Sequence, residues 1–132
     1  MRRIYATEFS LDDEWSSLVL ATVTEDSVPV GHVLIIDRRK HNPQWKLPGG
    51  HKEQHETPRE TAAREFRGET GIHQPAHTFE IVPSGCVWRD EVPGKMNGHW
   101  SLLFTTTLAR SQISLIHEYD VGNEGEEASF FT

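Results

Sequence analysis

The sequence predicts one domain, residues 1–132, of the mixed α/β (α+β) class, in which a β-sheet carries one well-marked helix. Three features lead there. Residues 18–23 and 33–36 are short apolar, β-branched runs of the kind that strands buried on both faces display. Trp100, Leu102, Phe104 and Thr106 recur at every second position, the period of a strand with one buried face. Thr57-Pro58-Arg59-Glu60 spells a helix start, with a Thr N-cap, Pro at the first helical position and a Glu placed to reach back to the cap.

Taken in order, residues 11–17, behind Ser10 and with Asp13, suggest a short helix, and the runs at 18–23 and 33–36 follow as central strands. The capped helix runs to Thr70, where Gly71 supplies the stop, and Ala62, Ala63 and Phe66 share the stripe that should pack on the sheet. Phe79 and Ile81, then Trp100 to Thr106, continue as strands. Ile113 and Leu115 suggest another, and residues 128–131 a last one.

Composition excludes several classes. With 13 basic against 20 acidic side chains the chain carries a net charge of -7, whereas nucleic-acid binders draw their affinity from Lys and Arg. Nucleic acid is therefore not an expected partner. No apolar run nears the roughly 20 residues that cross a bilayer, and the start at Met1-Arg2-Arg3 lacks the apolar segment of a signal peptide. A cytoplasmic protein without a membrane partner is expected. The single cysteine, Cys86, cannot bridge internally and reads as a small semi-buried residue.

The chemistry concentrates in one stretch. Glu65 and Glu69 are four apart on the helix and share a face. Before the helix, Leu47-Pro48-Gly49-Gly50 allows a sharp turn and close backbone approach, and the loop that follows adds Glu53 and Glu56. Carboxylates and backbone carbonyls so grouped suit a hard divalent cation.

The run Gly50, Glu56, Arg64-Glu65-Phe66, Glu69, Gly71-Ile72 resembles the Nudix box, G-x5-E-x7-R-E-U-x-E-E-x-G-U with U a bulky apolar residue, and meets eight of its nine fixed positions. Trp45-Lys46-Leu47-Pro48-Gly49 is similar to that family's approach to the box. The resemblance implies an α/β/α sandwich around a mixed sheet and a loop-helix-loop that uses Mg²⁺ or Mn²⁺ to hydrolyse a pyrophosphate bond in a nucleoside diphosphate linked to another group. It makes Glu65 a metal ligand and in some relatives the base, Glu69 a ligand and the Gly49 carbonyl a third. Glu56 and Arg64 become an ion bridge between loop and helix. Gly50 belongs to the substrate-binding turn, and Arg38 and Arg39, at the end of a strand, are placed to reach substrate phosphates.

Gly68 stands where the box has Glu. It removes a carboxylate from the metal-facing side and weakens the helix. Either another acid replaces it, from Glu53, Glu118, Asp120, Glu124, Glu126 and Glu127, or the site is catalytically weak or inactive and the domain binds a nucleotide or protein partner. His51 and His55 flank the site as loop residues, the other histidines being unclustered, and Trp88 and Trp100 read as core aromatics more than as base platforms. The closing helix that similar domains carry after the last strand is missing here. The sheet face so uncovered suggests a homodimer or a truncated chain.

Overall fold

The computed structural model describes residues 2–5, 9–82, 87–91, 99–117 and 126–132, with the backbone alone at 2–5, 87–91 and 117. Eight strands form one mixed sheet: β1 (Arg2–Tyr5), β2 (Trp15–Glu25), β3 (Val28–Asp37), β4 (Gly49–His51), β5 (Glu80–Ile81), β6 (Val87–Glu91), β7 (His99–Ala109) and β8 (Glu126–Phe131). The order is β1-β6-β7-β2-β3-β8, with β4 added to β2 and β5 to β7. Among the described strands only β2 and β7 run parallel, from Trp15 opposite Trp100 to Thr24 opposite Ala109. The helix α1 (Pro58–Thr70) begins and ends where the sequence places it, with a full capping box at Thr57 and Glu60 and a left-handed Gly71 at its C-terminus.

The core lies on one side of the sheet. Val19, Ala21 and Val23 of β2, Val33 and Ile35 of β3, and Trp100, Leu102 and Leu108 of β7 meet Ala62 and Phe66 of α1, all at 0–2% exposure. The Ser17 hydroxyl donates to the Pro58 carbonyl at 2.8 Å and pins the helix start on β2. The opposite side is sealed less well. Leu18, Leu20, Leu34 and Leu103 stay half-buried while Ile36 is buried, so the expected two-sided burial is met at the end of the 33–36 run and is incomplete along 18–23.

Two expected elements differ. Residues 11–13 form a turn instead of a helix, because the Ser10 and Asp13 polar groups close on each other (Ser10 N–H to Asp13 Oδ2, 2.9 Å) and leave the next residues free to extend as β2. Ile113 and Leu115 lie in a 3-10 segment, Arg110–His117, instead of a strand. The Gln112 side chain accepts the Ala109 N–H at 2.7 Å and starts the turn, and Ile116 joins the same core as α1. Cys86, Glu118, Asp120 and Glu124 lie outside the described residues. Trp88 lies on β6, and Trp100 is a core residue as expected.

Gly68 is exposed inside α1, and a Cβ there would meet nothing within 4 Å. Gly68→Ala therefore removes backbone entropy without a clash and should stabilise the fold by about 1 kcal/mol. A urea melt would check it, and a lowered midpoint would contradict the open environment.

Candidate active site

The site is built where β2 and β3 part. Their pairing covers Ala21–Glu25 and Val28–Val33; nearer the start of β2 the chain at 46–51 slips between them. Lys46 bridges Ile35, and Gly49, Gly50 and His51 pair with Leu18, Ser17 and Ser16. Both glycines are required. A Cβ on Gly49, at φ +153°, would stand 2.2 Å from the Ser17 carbonyl oxygen, and one on Gly50 would stand 2.5 Å from the Glu65 carboxyl carbon. The Glu65 carboxylate thus lies directly against the Gly50 backbone.

Arg64 organises the acids around it. Its Nε and Nη2 donate to Glu56 at 2.7 and 3.0 Å, Nη1 donates to Glu65 Oε1 at 2.8 Å, and Nη2 also donates to the His51 carbonyl at 3.0 Å. The loop-to-helix ion bridge is therefore present. Hydrogen bonds from Arg64, helped by the Glu53 N–H and the Thr61 hydroxyl, hold the Glu56 carboxyl down at about 2 against the opposing effect of burial. Glu56 and Glu65 in turn push the Arg64 guanidinium higher. Glu53 stands 3.5 Å from Arg64 and is exposed.

Glu69 behaves differently. Its Oε1 accepts the Gly49 N–H at 2.7 Å, yet burial, then Glu126 and Glu65, push its carboxyl well above the usual carboxylate range. Glu126 reaches this point from β8, opposite Asp37, on the face that carries α1. Its Oε2 is buried with no hydrogen-bond partner. Among the described residues considered as replacements for position 68, which are Glu53, Glu126 and Glu127, Glu126 is the one beside Glu69. Sequence spacing could not single it out, because strand register across β3 and β8 creates the contact. Glu127, one residue on, points the other way and pairs with Arg38 at 3.3 Å, both side chains being more than half exposed.

Arg38 and Arg39 lie at the end of β3, each occupied by an acid. Arg39 grips Asp37 with two hydrogen bonds of 3.0 Å, which pulls the Asp37 carboxyl down to about 2. Arg38, besides its Glu127 contact, lies 5.6 Å from the Trp45 ring centroid. His51 is part of β4 instead of a loop, and its ring meets that of His99, so two histidines far apart in sequence are neighbours.

The donor set fits a hard divalent cation. Carboxylates of Glu65, Glu69 and Glu126 and the Gly49 carbonyl are all oxygen ligands, and the raised Glu69 carboxyl crowded against Glu126 is an acid pair whose proton a cation would displace. Among the described residues no three such side chains form a ready-made cage, since Glu65 is turned to Arg64 and Glu69 to the Gly49 N–H.

The sequence model of the NUDIX domain matches residues 16–132. A "Putative 8-oxo-dGTP diphosphatase 3" of Mycobacterium tuberculosis is 40% identical over 65 residues, which cover 49% of this chain and 27% of that protein, so the chain spans about a quarter of the curated relative it matches. Among solved structures, a MutT/nudix family protein from Enterococcus faecalis superimposes with a TM-score of 0.63 at 16% identity, over 97% of this chain and 46% of that one. The NUDIX domain of Shewanella oneidensis NrtR, solved with ADP ribose, does so at 0.61 and 14% identity, over 96% and 77%. At these identities the structures speak for the fold alone. With the family match running over nearly the whole chain and the box residues gathered around Arg64, the chain belongs to the NUDIX domain family.

Proposed function

We propose that this chain is a divalent-metal-dependent hydrolase, using Mg²⁺ or Mn²⁺, that cleaves the pyrophosphate bond of a nucleoside diphosphate linked to another group. The observation that carries the reading is Glu126: a buried, unpartnered carboxylate oxygen beside Glu69 supplies the charge that Gly68 removes. Glu65, Glu69, Glu126 and the Gly49 carbonyl would hold the metal, which when bound neutralises phosphate oxygens and sharpens a water nucleophile. Arg64 fixes Glu65 through Oε1, which leaves Oε2 to take the proton of the attacking water. Glu56 anchors Arg64 and acts through it, and Gly50 lets the reacting group approach the backbone. Arg38 and Arg39 bind substrate phosphates by exchanging their present carboxylate partners.

The family and its 8-oxo-dGTP diphosphatase relative support a small nucleotide as substrate. No helix among the described residues is long and apolar enough to cross a membrane, and we place the protein in the cytoplasm on its composition. The test is release of nucleoside monophosphate from a panel of nucleoside triphosphates, dinucleoside polyphosphates and nucleotide sugars, with Mg²⁺, Mn²⁺ or a chelator. Metal-dependent release with at least one compound is expected. Gly68 favours a second reading, a binding module without chemistry. Nucleotide binding with no turnover across the panel, unaltered in Gly68→Glu, would establish that reading instead.

A further inference from the structure

Among the described residues, fewer pack on the sheet face turned away from α1 than on the α1 side. Leu18, Leu20, Leu34 and Leu103 form a half-buried floor there, while their strand neighbours on the α1 side are sealed. β4 connects the two sides, for Gly50 backs onto Glu65 whereas Gly49 and His51 belong to the leucine side. At one end of that floor three strands bring polar groups together. His51 of β4 lies against His99 of β7 with ring centroids 4.5 Å apart and planes at 34°, and Ser16 of β2 is 2.6 Å from His99 Nε2. Arg64, which holds Glu65, also holds the His51 carbonyl.

The end wall offers hydrogen-bonding atoms beside the apolar floor. Burial, then the neighbouring His51, keeps the His99 imidazole below its ordinary pKa, so it presents one donor and one acceptor nitrogen. Nε2 is engaged with Ser16; Nδ1 has no hydrogen-bond partner among the described residues. A phosphate would gain nothing from the leucines, and an aliphatic ligand would leave these polar atoms unused. An apolar floor edged by a hydroxyl and two imidazoles matches a heteroaromatic base.

We propose that Ser16, His51 and His99 are specificity-determining residues that read the polar edge of the substrate's nucleobase, with the base lying on the leucine floor and the phosphates crossing Gly49 toward Glu65. The inference rests on the nucleotide reading above, and its test needs neither metal nor turnover. The chain, kept in a chelator, would be titrated with the 5′-monophosphates of adenosine, guanosine, cytidine and uridine, and with ribose 5-phosphate, while the imidazole resonances of His51 and His99 are followed by NMR. Saturable shifts of both rings with at least one nucleotide and none with ribose 5-phosphate are expected. Affinity should fall at least about fivefold in His99→Phe, which keeps a ring against His51 but removes the hydrogen bonds. Ser16→Ala, the milder change, should weaken binding in the same direction and guards against a misfolded His99 variant. No saturable shift, equal shifts with ribose 5-phosphate, or unchanged affinity in both variants would overturn the proposal. So would a dimer in sedimentation whose formation buries the floor and excludes the nucleotides. Nucleotide binding of the expected kind without any hydrolysis would defeat the hydrolase reading and leave this one standing.

Discussion

Glu126→Gln should lower turnover by about 10²- to 10³-fold and, in the absence of metal at neutral pH, raise thermal stability. The two effects have one cause. In the metal-free chain Glu126 Oε2 has no hydrogen-bond partner, and its charge helps to push the Glu69 carboxyl upward. An amide of the same shape removes the charge that makes Glu69 take up a proton on folding and offers that carboxyl a donor, worth about 1–2 kcal/mol. With the charge goes a ligand, so Mn²⁺ should bind at least about tenfold more weakly. Melting curves with and without metal, beside Mn²⁺ binding followed by electron paramagnetic resonance, would read both. Lower metal-free stability with unchanged Mn²⁺ affinity would show that Glu126 is a structural residue.

Arg64→Ala carries the second large effect. It releases Glu56, Glu65 and the His51 carbonyl together, leaving Glu56 half-buried without its cation. A loss of about 2–3 kcal/mol and of most activity is expected. The pH dependence identifies the cause. The Glu56 carboxyl is held at about 2 in the fold against an ordinary 4.5, so its contribution is complete above about pH 4.5 and disappears as pH falls toward 2. Since about a third of the Arg64 side chain is exposed, solvent screening leaves about 1–2 kcal/mol in that window. Denaturation between pH 5 and 2 should therefore lose stability less steeply in Arg64→Ala than in the wild type. Parallel slopes would mean that the pair contributes nothing.

Much of this was legible in the sequence, for physical reasons that also explain what was not. The helix was readable to the residue because Thr57, Pro58, Glu60 and Gly71 are local signals, each satisfying a backbone group within a few residues of itself. The alternation from Trp100 to Thr106 revealed its buried face in the same way. The box residues converge because a helix and the loop before it are neighbours in any fold. Glu126 and the His51–His99 pair depend instead on strands far apart in sequence, where the parallel pairing of β2 with β7 and the antiparallel pairing of β3 with β8 decide who meets whom. The turn at 11–13 and the 3-10 segment at 110–117 depart from the sequence pattern because the Asp13 and Gln112 side chains accept backbone N–H groups and settle the chain locally. Gly68 marks a missing carboxylate, and the acid we propose in its place, Glu126, lies on β8, 58 residues further along.

The most direct test of the central claim compares wild type with Glu65→Gln on the best substrate of the panel, across a titration of Mg²⁺ or Mn²⁺, with equal folding established by their melting curves. The wild-type rate should rise with metal and saturate, and the Glu65→Gln rate should be lower by at least about 10²-fold at every metal concentration. A folded Glu65→Gln that turns over as fast as the wild type would contradict it, as would a wild-type rate indifferent to metal and chelator.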